Sequence, residues 1–114
     1  KNYTHQSKNK NPICGDEMEI SLLVKNNLIE DMGYQCKSCV YCQASVSMLS
    51  TKIKNKKITE IKSFISSIDI FFNDTEIKVE KKWEGFKKIL NKKNISRKEC
   101  LLLPFKTISK ALKF

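Results

Sequence analysis

The sequence predicts an α+β domain: a small antiparallel sheet of two to three strands near the N-terminus, then about four helices packed on one face. Three observations predict it. Glu17 to Val24 alternates polar and apolar before running apolar, as a half-buried strand does. From Val40 onward the apolar spacing changes to the helical period. The chain has 114 residues, 40% of them hydrophobic, which is enough for one modest core and not for two. The whole chain, 1–114, is therefore read as one domain. Lys1 in place of Met suggests a chain trimmed upstream.

Lys1 to Asn11 is polar and reads as a loop, with room for a short strand near Tyr3. Glu17 to Val24 is a strand, Lys25-Asn26-Asn27 a turn, and Leu28 to Tyr34 the returning strand of a hairpin. A helix is expected over Val40 to Lys54, with Val46, Leu49 and Ile53 on one face and Ala44 and Met48 on another. Thr59 is expected to cap a second helix carrying Ile61, Phe64, Ile65, Ile68, Phe71 and Phe72. Thr75 is expected to cap a third, with Val79, Trp83, Phe86 and Leu90 at helical spacing. Asn91 to Asn94 is a loop. The last helix lies within Ser96 to Phe114, where Pro104 either begins it or kinks it. Phe64, Phe71, Trp83 and Phe86 are read as core.

Composition removes several function classes. No apolar run reaches the roughly 18 residues that cross a bilayer, so no membrane association is expected. Lys1 to Pro12 has no apolar leader segment, and a cytoplasmic location is expected. One His and three Gly leave little for His-based catalysis or a Gly-rich nucleotide loop. The chain is not expected to be an enzyme in its own right. The formal net charge is +10, yet Arg97 is the one arginine among 22 basic residues. Phosphate and base recognition usually draws on arginine forks. Lys52 to Lys57 and Lys87 to Lys93 also lack the interleaved aromatics that stack bases. A solvated lysine surface is the simpler reading, and attraction to an acidic partner or nucleic acid is the other.

The five cysteines are more informative: Cys14, Cys36, Cys39, Cys42 and Cys100. An odd, clustered set without a secretory segment points to metal or sulfur chemistry rather than a disulfide framework. Asn11-Pro12-Ile13-Cys14-Gly15-Asp16 places a thiol and a carboxylate on either side of a glycine, just before a strand. Cys39 falls where the strand pattern gives way to a helix N-terminus, which favours thiolate. Cys100 follows Arg97 by one helical step, and a guanidinium nearby would also favour thiolate. Such a set can make a tetrahedral zinc site or bind iron in a cluster. Spacing alone does not choose.

These blocks resemble the NifU/IscU/SufU type of iron-sulfur cluster assembly scaffold. The matching residues are Asn11 to Asp16, Leu28 to Asp31, Cys39 to Met48, Arg97 to Cys100, and Leu103-Pro104-Phe105. The resemblance implies that Cys14, Asp16, Cys39 and Cys100 hold the cargo. That cargo would be a transient 2Fe-2S cluster, or Zn2+ in SufU-like members. It implies Cys100 as persulfide acceptor in an IscU-like protein and Cys14 in a SufU-like one, with Arg97 supporting. Glu99 stands where IscU-like members carry His, which favours the SufU/NifU side. Implied partners are a cysteine desulfurase and acceptor apo-proteins.

The chain also departs from the pattern. Cys36 and Ser38 stand where glycines usually precede the second cysteine, and Cys42 where a small residue is usual. Cys36 and Cys42 are extra ligands, resolving thiols or plain buried cysteines, the last being favoured. The family's N-terminal helix is not evident, so His5 is read as a surface residue, and apolar surface is left for a partner or a homodimer. Two other readings compete: a zinc-stabilised basic module that binds nucleic acid, and a diverged paralogue with a structural metal only.

Overall fold

The computed structural model describes residues 3–11, 15–38, 40–72 and 81–113. Three antiparallel strands come first: β1 (His5–Lys10), β2 (Glu17–Lys25) and β3 (Leu28–Lys37), in the order β1-β2-β3. Helices α1 (Val40–Lys52), α2 (Ile58–Ser67) and α3 (Lys98–Leu112) follow. Three 3-10 segments, Ile68–Phe72, Lys81–Lys88 and Lys92–Arg97, lie between α2 and α3.

β2 follows its alternation. Met18, Ile20 and Leu22 are buried, while their neighbours face outward or lie half-buried. The two-residue turn to β3 puts Asn26 at φ 52° and Asn27 at φ 63°. Two consecutive positive φ values are what a type I′ hairpin turn requires, and Asn tolerates them better than most residues. The register slips between Leu23↔Asp31 and Val24↔Ile29, leaving Glu30 as an extra residue. That bulge lets Ile29 and Met32 both be buried although they are three apart.

β1 corrects the reading of the N-terminus as a loop. It spans six residues, none of them apolar, so no hydrophobic alternation marks it. Tertiary pairing makes it a strand: Ser7 pairs with Ile20, and its hydroxyl donates to the Thr107 carbonyl of α3 at 2.6 Å. A polar edge strand also resists pairing with other chains.

α1 agrees with the expected face, with Cys42, Ser45, Val46, Leu49 and Ile53 buried and Ala44 exposed. Thr59 is not the cap of α2. Lys57 takes that place, and its N–H donates to the Glu60 carboxylate at 3.4 Å. The start is fixed from outside, because the Ile58 N–H donates to the Asn27 carbonyl. Beyond Ser67 the helix tightens into 3-10 geometry. Residues 73–80, with the expected cap Thr75 and Val79, lie outside the described residues. Lys81–Lys88 is 3-10 rather than α-helical, which suits Trp83 and Phe86, since residues three apart eclipse there. The loop expected at Asn91 to Asn94 falls largely within the third 3-10 segment. Of the two roles expected for Pro104, beginning the last helix is excluded, because it sits in the interior of α3.

The core forms where α3 crosses β1 and β2 and lies along α1. Phe64 is its aromatic centre, stacked on Trp83 at 4.4 Å and edge-on to Phe71 and Phe105. All four aromatics read as core are buried.

The turn generates a prediction. Ala is strained at positive φ and Gly is not. Asn27→Ala is expected to be less stable than Asn27→Gly by about 1 kcal/mol in urea unfolding. Equal midpoints would mean that the turn does not hold this conformation in solution.

Candidate functional site

The site is built at the end of the sheet where β2 begins and β3 ends. Glu17 pairs with Lys37 there. The residues just beyond that pair are Asp16 and Ser38, and antiparallel geometry sets them opposite each other. They continue two rows on one face: Asp16 with Met18, Ile20 and Leu22, and Ser38 with Cys36. That face is the one covered by helices. Asp16 is accordingly only 6% exposed, although it is a carboxylate.

The loop before Asp16 is closed by backbone bonds. The Asn11 N–H donates to the Asp16 carbonyl and the Gly15 N–H to the Asn11 carbonyl, each at 2.8 Å. Gly15 turns the chain into β2 with φ +73°. Asp16 Oδ2 is buried and has no hydrogen-bond partner among the described residues. Ser38 Oγ shares that condition. A buried carboxylate oxygen without a donor is costly unless something positive meets it. The donor chemistry at this position therefore fits a cation.

Two helix ends lie beside this corner. α1 starts at Val40, two residues after Ser38. The N-terminal part of α3 runs next to it. The buried Ser45 hydroxyl of α1 donates to the Leu101 carbonyl at 2.7 Å, and the Arg97 guanidinium lies 5.3 Å from the centre of the Tyr41 ring. Cys100, buried in the first turn of α3, is the residue before Leu101. Helix starts carry partial positive charge, which favours anions nearby. Pro104 adds a local feature: it has no N–H to donate to the Cys100 carbonyl one turn back.

The sequence-predicted residues are placed as follows. Asp16 and Cys100 are buried, each at an element start. Cys14 and Cys39 lie outside the described residues, and among those described no three His, Cys, Asp or Glu side chains group to hold a metal. Arg97, expected to act on Cys100, is exposed and reaches over Tyr41. Cys42 is fully buried in the core cluster. Cys36 is half-buried, two residues from Ser38 on the same face. It lines a groove of about 710 Å3 together with Met18, Glu17, Lys10, Lys8 and Lys110. His5 contacts the Thr4 hydroxyl at the surface. Sequence reasoning did not find the role of Ser45. Its signal was a hydroxyl on a helix face otherwise made of Cys42, Val46 and Leu49.

The sequence matches the profile of the NifU-like N-terminal domain over residues 1–83. The chain belongs to that family. It is 30% identical over 105 residues to the iron-sulfur cluster assembly scaffold protein IscU of Thermotoga maritima, covering 91% of this chain and 73% of that one. It is 33% identical over 48 residues to the zinc-dependent sulfurtransferase SufU of Bacillus subtilis, covering 42% of this chain and 33% of that one. Its fold matches FiSufU of Fervidobacterium islandicum AW-1, a proposed scaffold for the SUF system. There the TM-score is 0.86 at 26% identity, over 98% of this chain and 82% of that one. These relatives place this NifU-like domain among the iron-sulfur cluster assembly scaffolds. No helix among the described residues is long and apolar enough to cross a membrane.

Two predictions follow from the geometry. A Cβ built on Gly15 meets nothing within 4 Å, so Gly15→Ala is penalised through its φ alone. Its expected cost is about 1–2 kcal/mol by denaturant unfolding; an unaltered midpoint would mean that the loop relaxes. Ser45→Ala leaves the site's ionisable groups in place but removes the α1–α3 tie. It should cost about 1 kcal/mol, and a variant as stable as wild type would show that the tie contributes nothing net.

Proposed function

We propose that this domain receives sulfur from a cysteine desulfurase and carries iron and sulfide, or zinc, on Cys14, Asp16, Cys39 and Cys100. The observation that carries the reading is Asp16: a carboxylate buried at the helix-facing end of β2, with one oxygen lacking any donor among the described residues. Cys14 lies two residues before it, Cys39 directly precedes α1, and Cys100 sits in the α3 turn tied to α1. The family match over residues 1–83 spans Cys14, Asp16 and Cys39 and supports those three positions. The single-domain reading of 1–114 belongs to this proposal, as do acceptor apo-proteins as the destination of the cluster.

The sulfur step needs no net redox change. A thiolate, at Cys100 in an IscU-like route or Cys14 in a SufU-like one, attacks the outer sulfur of the desulfurase persulfide. The persulfide S–S bond breaks, a new one forms on the acceptor, and the desulfurase cysteine leaves as thiolate. Helix N-termini assist by holding the acceptor as thiolate. An oxygen ligand at Asp16 is harder than a fourth thiolate and suits cargo that must be released.

The test is reconstitution of anaerobically purified protein with a cysteine desulfurase, cysteine, ferrous iron and a thiol reductant. Visible absorbance from a forming cluster is expected, and it should be lost in Cys14→Ser, Cys39→Ser and Cys100→Ser. Asp16→Ala should alter the rate of transfer to an apo-acceptor by about tenfold. Tightly held zinc with no response to the desulfurase would sink the reading.

A further inference from the structure

We propose that the Ser38 hydroxyl is a further polar group of this site, donating a hydrogen bond to a ligand atom of the bound ion across from Asp16. The inference rests on the site described under Proposed function, but its observations are its own. Among the described residues, three buried side-chain oxygens lack a hydrogen-bond partner: Asp16 Oδ2, Ser38 Oγ and Asn91 Oδ1. Asn91 is a different case, since its Nδ2 already donates to the Lys87 and Lys88 carbonyls. The other two each lie one residue beyond the Glu17↔Lys37 pair that ends the ladder, where the register would carry them to face each other.

Ser38 is fixed on both sides. Lys37 before it is held in the ladder with Glu17, and the Ser38 carbonyl accepts from Gln43 Nε2 of α1 at 2.9 Å. Its Oγ is shielded from solvent and has no hydrogen-bond partner among the described residues. Ser38 Oγ and Asp16 Oδ2 also do not bond to each other. An ion held by Asp16 would bring ligand atoms, thiolate sulfur or water, into the space between. The hydroxyl would then have an acceptor, and the carboxylate its cation. Outer contacts of this kind orient ligands and commonly change metal affinity tenfold or more.

The hydroxyl's role has a signature that a structural one lacks. Removing an unsatisfied buried hydroxyl should not weaken the metal-free fold, while it should weaken the loaded one. Metal-stripped wild type, Ser38→Ala, Ser38→Gly and Asp16→Ala would be titrated with Zn2+ against a chromophoric chelator. Thermal unfolding of each metal-free protein would be recorded beside this. Ser38→Ala is expected to bind Zn2+ about tenfold more weakly, with a metal-free Tm equal to or above wild type. Ser38→Gly, lacking the same hydroxyl, should show a comparable loss of affinity. An unaltered Zn2+ affinity in both Ser38 variants overturns this inference alone. A loss of affinity accompanied by a lowered metal-free Tm in Ser38→Ala also overturns it, since Ser38 would then be structural. Wild type without measurable Zn2+ binding, or Asp16→Ala binding as tightly as wild type, overturns the site assignment beneath it.

Discussion

The constraint on which this structure depends is the single buried face of β2. A strand alternates strictly, so once Met18, Ile20 and Leu22 face the helices, Asp16 must continue the same row. A one-residue slip would expose the apolar set and turn the carboxylate to solvent. The apolar residues thus hold Asp16 inside, and burial of the rest of the row offsets what its desolvation costs. The type I′ turn at Asn26–Asn27 and the bulge at Glu30 set the register of β3 against β2. That register decides that Ser38 stands across from Asp16.

The second level is the tie between α1 and α3. These helices are 46 residues apart in sequence, from Lys52 at the end of one to Lys98 at the start of the other. They are joined by apolar contact and by the Ser45–Leu101 hydrogen bond. α3 is also fixed to the sheet by Ser7 and by Lys110, whose ammonium donates to the Lys8 carbonyl at 2.8 Å. Helix ends brought together in this way concentrate partial positive charge near Cys100. The aromatic cluster around Phe64 lies under the same helix and stiffens it from the other side, each close ring pair adding about 0.5–1.5 kcal/mol.

What the sequence disclosed follows the strength of its local signals. The β2–β3 hairpin was legible because alternation, an Asn-Asn turn and a second apolar run agree. Helix α1 and the buried status of Phe64, Phe71, Trp83 and Phe86 were legible from helical spacing. β1 was not, because its six polar residues become a strand only by pairing with β2. The 3-10 geometry of Lys81–Lys88 was also hidden, since Trp83 and Phe86 satisfy both helical periods at that length. At the site, Asp16 and Cys100 were named by motif, but their burial came from tertiary structure. Ser38 registered only as a departure from a glycine pattern. Its meaning depends on register, which no local signal carries. Cys42 belongs to the core and Cys36 to a groove wall, a difference that spacing within Cys36 to Cys42 does not express.

A buried carboxylate oxygen and a buried hydroxyl without a partner each cost about 1–3 kcal/mol. A chain under selection for stability alone would pair or remove them. On the proposed assignment, a ligand that supplies both a cation and an acceptor would offset that cost and so favour the bound form. The ligand type limits tenacity: an oxygen ligand holds a soft ion less firmly than a fourth thiolate would. A carrier needs both properties, since cargo must be favoured on arrival and released to an acceptor. On the proposed assignment, the corner at Asp16 and Ser38 would meet them with two side chains whose places follow from the register of one hairpin.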